Sequence, residues 1–176
     1  MTRFKLPTAT LKGPFRAIIE KLRVVLRRVT VGRGTRAAGR RLIATRPAPE
    51  VFYRAMSHRE LRGLTETGRL TVRGERFVTQ DPSFVRQLAA RHPKLYEVMV
   101  RFEMQPGTRA ALLEVGARSR GRLLEQEGLG GLPAIGKGMT SVVHIKAEAQ
   151  AITYGLRPGS AAVFNCRIGK FGVLDD

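Results

Sequence analysis

Short apolar segments separated by glycine, proline and charged residues fill the second part of the chain, and they restrict its fold more than any other feature. Their length and their β-branched or aromatic content predict strands. These strands cover residues 51–54, 70–72, 76–79, 95–104, 141–145, 151–155 and 161–173. Amphipathic stretches predict two early helices, from His58 to Thr67 and from Pro82 to about Arg91. The pattern therefore predicts an α+β fold in which pairing between strands dominates.

Local signals mark both ends of the first early helix. Ser57 is suited to cap its N-terminus, and Glu60 stands at the position that completes a capping box. Gly68 is placed to end the helix in the left-handed conformation. A further helix is predicted over residues 108–115, whereas residues 116–141, which are rich in glycine and arginine, are expected to form a mobile loop.

Positive charge is concentrated in the first 49 residues. The chain has a formal net charge of +18, and residues 1–49 contain 13 Lys or Arg and a single acid, Glu20. Gly13-Pro14 opens an amphipathic pattern that predicts a basic helix as far as Val29, and a flexible linker follows. This helix would pack on its own domain or on a larger parent protein, or bind an anionic membrane surface. We therefore predict two parts, residues 1–49 and residues 50–176.

The charge and the remaining composition limit the classes of partner and chemistry. A basic chain has electrostatic affinity for nucleic acid, for an anionic membrane or for an acidic protein. No stretch reaches the roughly 18 consecutive apolar residues that a membrane span requires. The single cysteine, Cys166, excludes an internal disulfide, and no Cys/His spacing predicts a metal site. The glycine-rich segments match neither a phosphate loop nor a dinucleotide fingerprint, so a Rossmann domain is not expected.

Three separated residues suit chemistry on NAD. Arg54 follows the apolar run Val51-Phe52-Tyr53, and an arginine at the end of an interior strand is well suited to bidentate phosphate binding. Thr79 ends a later strand, where its hydroxyl would orient its neighbours or cap the next helix. Glu148 follows a strand and would stabilise the cation formed as nicotinamide leaves the ribose, or it is a solvated strand-end glutamate.

Further candidates for the site also have structural alternatives. Tyr53, Ser57 and Tyr154 complete the candidate cofactor-binding set, although Tyr53 and Tyr154 also suit a core position and Ser57 a helix cap. His144 and Lys146 share one strand face with Glu148, and such a face also suits RNA cleavage by acid–base catalysis. A ribonuclease and a non-enzymatic basic nucleic-acid-binding protein are therefore the alternative functions.

Several segments together resemble the C-terminal toxin domains of bacterial polymorphic toxins, especially the Rhs-type proteins. The matching stretches are residues 52–57, 67–70, 77–79, 102–108, 136–138, 146–148, 155–161 and 164–165. This resemblance implies an ADP-ribosyltransferase-like split β-sandwich with the two early helices, preceded by the basic N-terminal helix. The resemblance covers roughly residues 51–171. In the middle motif, residues 77–81, this chain lacks the serine-threonine-serine that is usual for the ADP-ribosyltransferase-like pattern.

The resemblance also implies an activity, a site and partners. The chain would be an NAD-dependent mono-ADP-ribosyltransferase, with NAD as its cofactor and RNA or protein as the acceptor. Arg54 would bind NAD phosphate or ribose, Thr79 would supply the hydroxyl, and Glu148 would be catalytic. We expect a secreted effector, delivered by a dedicated secretion system and acting in the cytoplasm of the target cell. A cognate acidic immunity protein would block its site.

Overall fold

The computed structural model describes residues 47–174, and they form a mixed α/β domain. The predicted N-terminal helix and most of the linker lie outside these residues, so the division at residue 49 stays a prediction. The described strands are β1 (Glu50–Met56), β2 (Arg76–Thr79), β3 (Val98–Met104), β4 (Gly116–Arg118), β5 (Val143–Glu148), β6 (Ala151–Leu156) and β7 (Ile168–Val173). The described helices are α1 (His58–Thr67), α2 (Pro82–Arg91), α3 (Thr108–Glu114), α4 (Arg122–Gln126) and α5 (Ala161–Asn165).

The strands form one seven-stranded sheet in the order β4-β5-β6-β2-β1-β3-β7. Neighbouring strands are antiparallel except for β4 and β5, which are parallel. The join between β1 and β2 is short, because Tyr53 and Thr79 are their one pair of Cα partners. On its other side β1 pairs with β3 at seven positions. The sheet is therefore weakly joined at its centre.

Helices cover both faces of the sheet, and each face has its own apolar cluster. The larger cluster joins strand residues such as Phe52, Phe102 and Tyr154 to buried residues of α1, α3, α4 and α5. The smaller cluster joins Ala55 and Ala151 to α2, which contributes Phe84 and Val85. Of the predicted site residues, Arg54, Thr79 and Tyr154 are buried.

The two early helices form as predicted, and Ser57 and Gly68 mark the ends of α1 as predicted. Ser57 Oγ accepts a hydrogen bond from the Glu60 backbone N–H at 3.2 Å, and Gly68 ends α1 with φ of 65°. Asp81 caps α2 by accepting hydrogen bonds from the backbone N–H groups of Ser83 and Phe84. Glu60 departs from the capping-box expectation, because its carboxylate binds Arg54 rather than the helix terminus.

Three predicted elements are wrong, and in each case tertiary contacts explain the difference. Residues 70–72 form no strand, because the Asn165 side chain holds the backbone N–H and C=O of Leu70. Residues 116–141, predicted to be a mobile loop throughout, include β4 and α4, since Leu124 is buried in the core. Residues 161–165 form α5 rather than a strand, which buries Phe164 against Phe102. Among residues 47–174, no helix is both long and apolar enough to cross a membrane.

Candidate functional site

A cavity of about 490 Å³ lies where β2 ends and β6 begins. We call it the tyrosine cavity. Its lining residues are Thr79, Gln80, Asp81, Arg109, Glu127, Gln150, Ala151, Ile152 and Tyr154. Its volume is within the roughly 300–1,000 Å³ of small-molecule sites. The fold thus brings together two predicted site residues, Thr79 and Tyr154, that are far apart in the sequence.

Thr79 is held firmly at the edge of this cavity. Its side chain is buried, and its hydroxyl donates to the Ile152 carbonyl at 2.8 Å while accepting from the Asp81 backbone N–H at 3.2 Å. These bonds tie β2 to β6 and set the direction of the hydroxyl. The capping alternative does not apply to Thr79, because Asp81 caps α2.

Tyr154 contributes a buried ring and a tethered hydroxyl to the cavity. Its ring meets Phe52 edge-on at a centroid distance of 5.6 Å, and Arg109 Nε donates to its hydroxyl at 3.1 Å. Burial raises the pKa of Tyr154 above its usual value, and the Arg109 hydrogen bond opposes that shift only in part. Arg109 and Glu127 were not predicted, because only the fold brings α3 and the end of α4 to β6.

Glu148 ends β5 beside the cavity but does not line it. It pairs with Ala151, and the turn between them consists of Ala149 and Gln150. Both turn residues have positive φ, 45° and 68°, which is strained backbone for residues other than glycine. Strand alternation places Glu148 on the sheet face of His144 and Lys146, opposite the face of Tyr154.

Arg54 is buried, and four of its five N–H donors bind neighbouring groups. Its guanidinium forms a bidentate pair with the Glu60 carboxylate, with Nη2 to Oε1 at 2.9 Å, and Nη1 donates to the Phe77 carbonyl at 2.7 Å. Burial lowers the pKa of Arg54, and this outweighs the opposing effect of Glu60. These bonds join β1 to α1 and to β2 beside the weak join in the sheet.

The other two candidate residues lie apart from the tyrosine cavity. Ser57 lines a second cavity of about 380 Å³, whose wall also includes Arg76 from the opposite end of β2. We call it the arginine cavity; its lining residues are Ser57, Arg59, Glu60, Gly63, Thr71, Arg73 and Arg76. Tyr53 lies opposite Thr79 and packs beside the smaller apolar cluster.

His144 and Lys146 meet at a carboxylate that the sequence did not predict. Glu75 contacts His144 Nδ1 at 2.8 Å, Lys146 Nζ, and Arg157 Nη1 at 3.5 Å. Burial alone would raise the pKa of Glu75, but Lys146 and His144 outweigh it and lower the pKa. A Cβ on Gly155 would come within 2.8 Å of the Glu75 carboxylate, so a larger residue there would displace the Glu75 side chain.

Comparison with known proteins gives the class of this mixed α/β domain. A family model described as the PT3 toxin domain matches residues 48–173, which is most of the chain. The chain therefore belongs to the PT3 toxin domain family. This confirms the predicted toxin domain at the level of its class and is consistent with a secreted effector. No curated protein matches the chain.

Proposed function

We propose that this toxin domain is a mono-ADP-ribosyltransferase that transfers ADP-ribose from NAD to RNA or protein in a competing cell. The observation that carries the proposal is the position of the tyrosine cavity. It lies beside the weakly joined centre of the sheet, is lined by Thr79 and Tyr154, and is bordered by the turn that follows Glu148. The resemblance implies a cleft in a split β-sandwich; here the strands form one seven-stranded sheet, and we assign the cleft to this cavity beside its weakest join.

In the proposed reaction, the bond between nicotinamide and the ribose breaks and its electron pair leaves with nicotinamide. The Glu148 carboxylate would stabilise the positive charge that develops on the ribose. A nucleophile of the acceptor then forms the new bond to the ribose and loses its proton. The Tyr154 ring is buried in the core, so it would support the cavity wall rather than stack on nicotinamide. Thr79, fixed by the Ile152 carbonyl, would orient the reacting groups.

Arg54 would support this site mainly by positioning its neighbours. Of the five N–H donors of a guanidinium, those on Nε and Nη2 bind Glu60 and one on Nη1 binds the Phe77 carbonyl. The second hydrogen of Nη1 is the donor that would be left for an NAD phosphate. In this proposal Arg54 fixes β1 against β2, whereas Tyr53 and Ser57 lie apart from the tyrosine cavity.

The geometry of His144 favours this proposal over a ribonuclease. The Nδ1 atom of His144 lies 2.8 Å from Glu75, and its Nε2 atom lies 3.1 Å from the Met139 carbonyl. Both ring nitrogens therefore have partners within the domain, and a general acid or base needs one nitrogen within reach of the substrate. A cognate immunity protein, which we expect to be acidic, would cover the mouth of the tyrosine cavity.

The test uses the full chain, labelled NAD and bacterial lysate. Glu148→Gln should reduce labelling of macromolecules by roughly 10²–10³-fold, as for loss of one group that stabilises a transition state. Glu66→Gln, on the exposed surface of α1, is the matched control and should leave labelling unchanged. Digestion of separate aliquots with RNase or protease identifies the acceptor class. Full labelling by Glu148→Gln would refute the assignment of the site, and RNA cleavage without NAD would favour the ribonuclease.

A further inference from the structure

The arginine cavity carries positive charge that its surroundings do not balance. Arg59 and Arg73 are exposed at its mouth, and neither forms an ion pair within residues 47–174. Arg76 also lines the cavity, and its buried Nε has no hydrogen-bond partner among the described residues. Three guanidinium groups therefore border one concave space of about 380 Å³.

The nearby carboxylates are already occupied by other cations. Glu60 lies in the cavity wall, but it forms the bidentate pair with buried Arg54 and lies 3.5 Å from Arg76 Nε. Glu75 precedes Arg76 in the chain, but its carboxylate is directed to His144, Lys146 and Arg157. The acids beside the cavity thus neutralise the interior cations and leave the charge of the arginines for a ligand.

The chemistry of the lining identifies the class of ligand. The planar guanidinium fork binds two phosphate oxygens at once, whereas an ammonium acts as a point charge, and Ser57 and Thr71 add hydroxyl groups. The α1 N-terminus is a minor contributor, because His58 N–H donates to Glu97 and Glu60 N–H donates to Ser57.

We propose that the arginine cavity binds a phosphodiester or diphosphate group through Arg59, Arg73 and Arg76. The phosphate has two possible sources, the diphosphate of the dinucleotide and the backbone of an RNA acceptor. The proposal rests on the proposed function only for the choice between these sources. Phosphate binding itself requires no catalysis, so it is tested separately from the role of Glu148.

The experiment measures the binding of ADP-ribose and of a short single-stranded RNA to the full chain carrying Arg59→Gln and Arg73→Gln. A double variant with Arg86→Gln and Arg91→Gln removes the same charge from α2 and is the matched control. Both variants retain the basic N-terminal residues. A difference between their binding affinities therefore reports the contribution of the cavity arginines alone. Urea unfolding of both variants verifies that the substitutions leave the fold intact.

We expect binding about tenfold weaker for the cavity variant than for the control, since charge-assisted arginine–phosphate bonds are lost. With RNA, the slope of log affinity against log salt should also fall by about 1.4, or roughly 0.7 for each lost phosphate contact. Weaker binding of ADP-ribose assigns the cavity to the dinucleotide, and weaker binding of RNA alone assigns it to the acceptor. Equal affinities of the two variants for both probes would overturn the proposal.

Discussion

The buried charge of Arg54 is paired with one carboxylate, that of Glu60. Removing its side chain in Arg54→Ala leaves the half-buried Glu60 carboxylate without its bidentate donor. We expect this substitution to lower the free energy of unfolding by about 3–5 kcal/mol, as for loss of one member of a buried ion pair. Urea unfolding of the full chain measures the change.

The control for Arg54→Ala removes both charges together. A double variant with Arg54→Met and Glu60→Leu replaces both charged side chains, so no unpaired charge remains. It should therefore be less destabilised than Arg54→Ala alone. A single variant as stable as the native chain would mean that the pair contributes nothing to folding. In that case the N–H donors of Arg54 would be available to bind a ligand, contrary to the proposed positioning role.

Glu75 makes stability depend on acid pH in a defined direction. Its folded-state pKa lies below the ordinary value of 4.5, so the unfolded chain binds more protons in that range. The contribution of Glu75 is therefore present above about pH 4.5 and is lost as the pH falls through the lower, folded-state pKa. Glu75→Gln should flatten the acid limb of a plot of unfolding free energy against pH.

Glu66→Gln provides the comparison for the Glu75 experiment. Glu66 is exposed on α1 and forms no ion pair within residues 47–174, so its loss should leave the acid limb close to that of the native chain. Identical profiles for Glu75→Gln and the native chain would show that the basic cluster around Glu75 does not stabilise the fold. The profiles are obtained from urea titrations at a series of pH values.

The two-residue turn between β5 and β6 has a left-handed backbone conformation that its residues, Ala149 and Gln150, do not favour. Ala149 adopts φ of 45°, whereas two-residue hairpin turns with both residues in this region favour Asn-Gly. Replacing alanine by a residue that tolerates this conformation relieves backbone strain of about 1 kcal/mol. We therefore expect Ala149→Asn to raise the free energy of unfolding by about 0.5–1 kcal/mol and Ala149→Val to lower it.

Thermal unfolding distinguishes the two turn variants. The expected order of midpoint temperature is Ala149→Asn above the native chain and Ala149→Val below it. The reverse order would mean that the turn is not in the left-handed conformation. Activity measured alongside stability reports whether the strain helps to place Glu148, since backbone strain is often retained near functional sites.

Among the elements, those with local signals were predictable and those held by distant contacts were not. α1 and α2 begin at capping side chains that the sequence displays, Ser57 and Asp81. The α5 segment has no such side-chain cap, and its helix is stabilised by burial of Phe164 beside Phe52 and Phe102. In residues 116–141 the apolar residues are scattered among glycines and arginines. Their spacing therefore did not indicate that Leu124 and Leu129 are buried.

The weak join at the centre of the sheet predicts uneven stability across the molecule. Amides protected by the β1–β3 ladder should exchange with solvent more slowly than those of β2 that face β1, since only one pair of residues joins β1 to β2. Hydrogen exchange with residue resolution measures this difference. Equal protection on both sides of β1 would show that the sheet behaves as a single cooperative unit at this join.

The sequence by itself determined the local structure: both early helices, the two ends of α1, most strands, and the alternation that places His144, Lys146 and Glu148 on one face. Tertiary structure alone decided which groups meet. Glu60 binds Arg54, and Glu75, 69 residues before His144 in the chain, binds His144. Caps and alternation depend on neighbours within a few residues, whereas an ion pair forms only where the folded sheet brings charges within a few ångströms. The two cavities have the same origin, because each is lined by residues from separate elements.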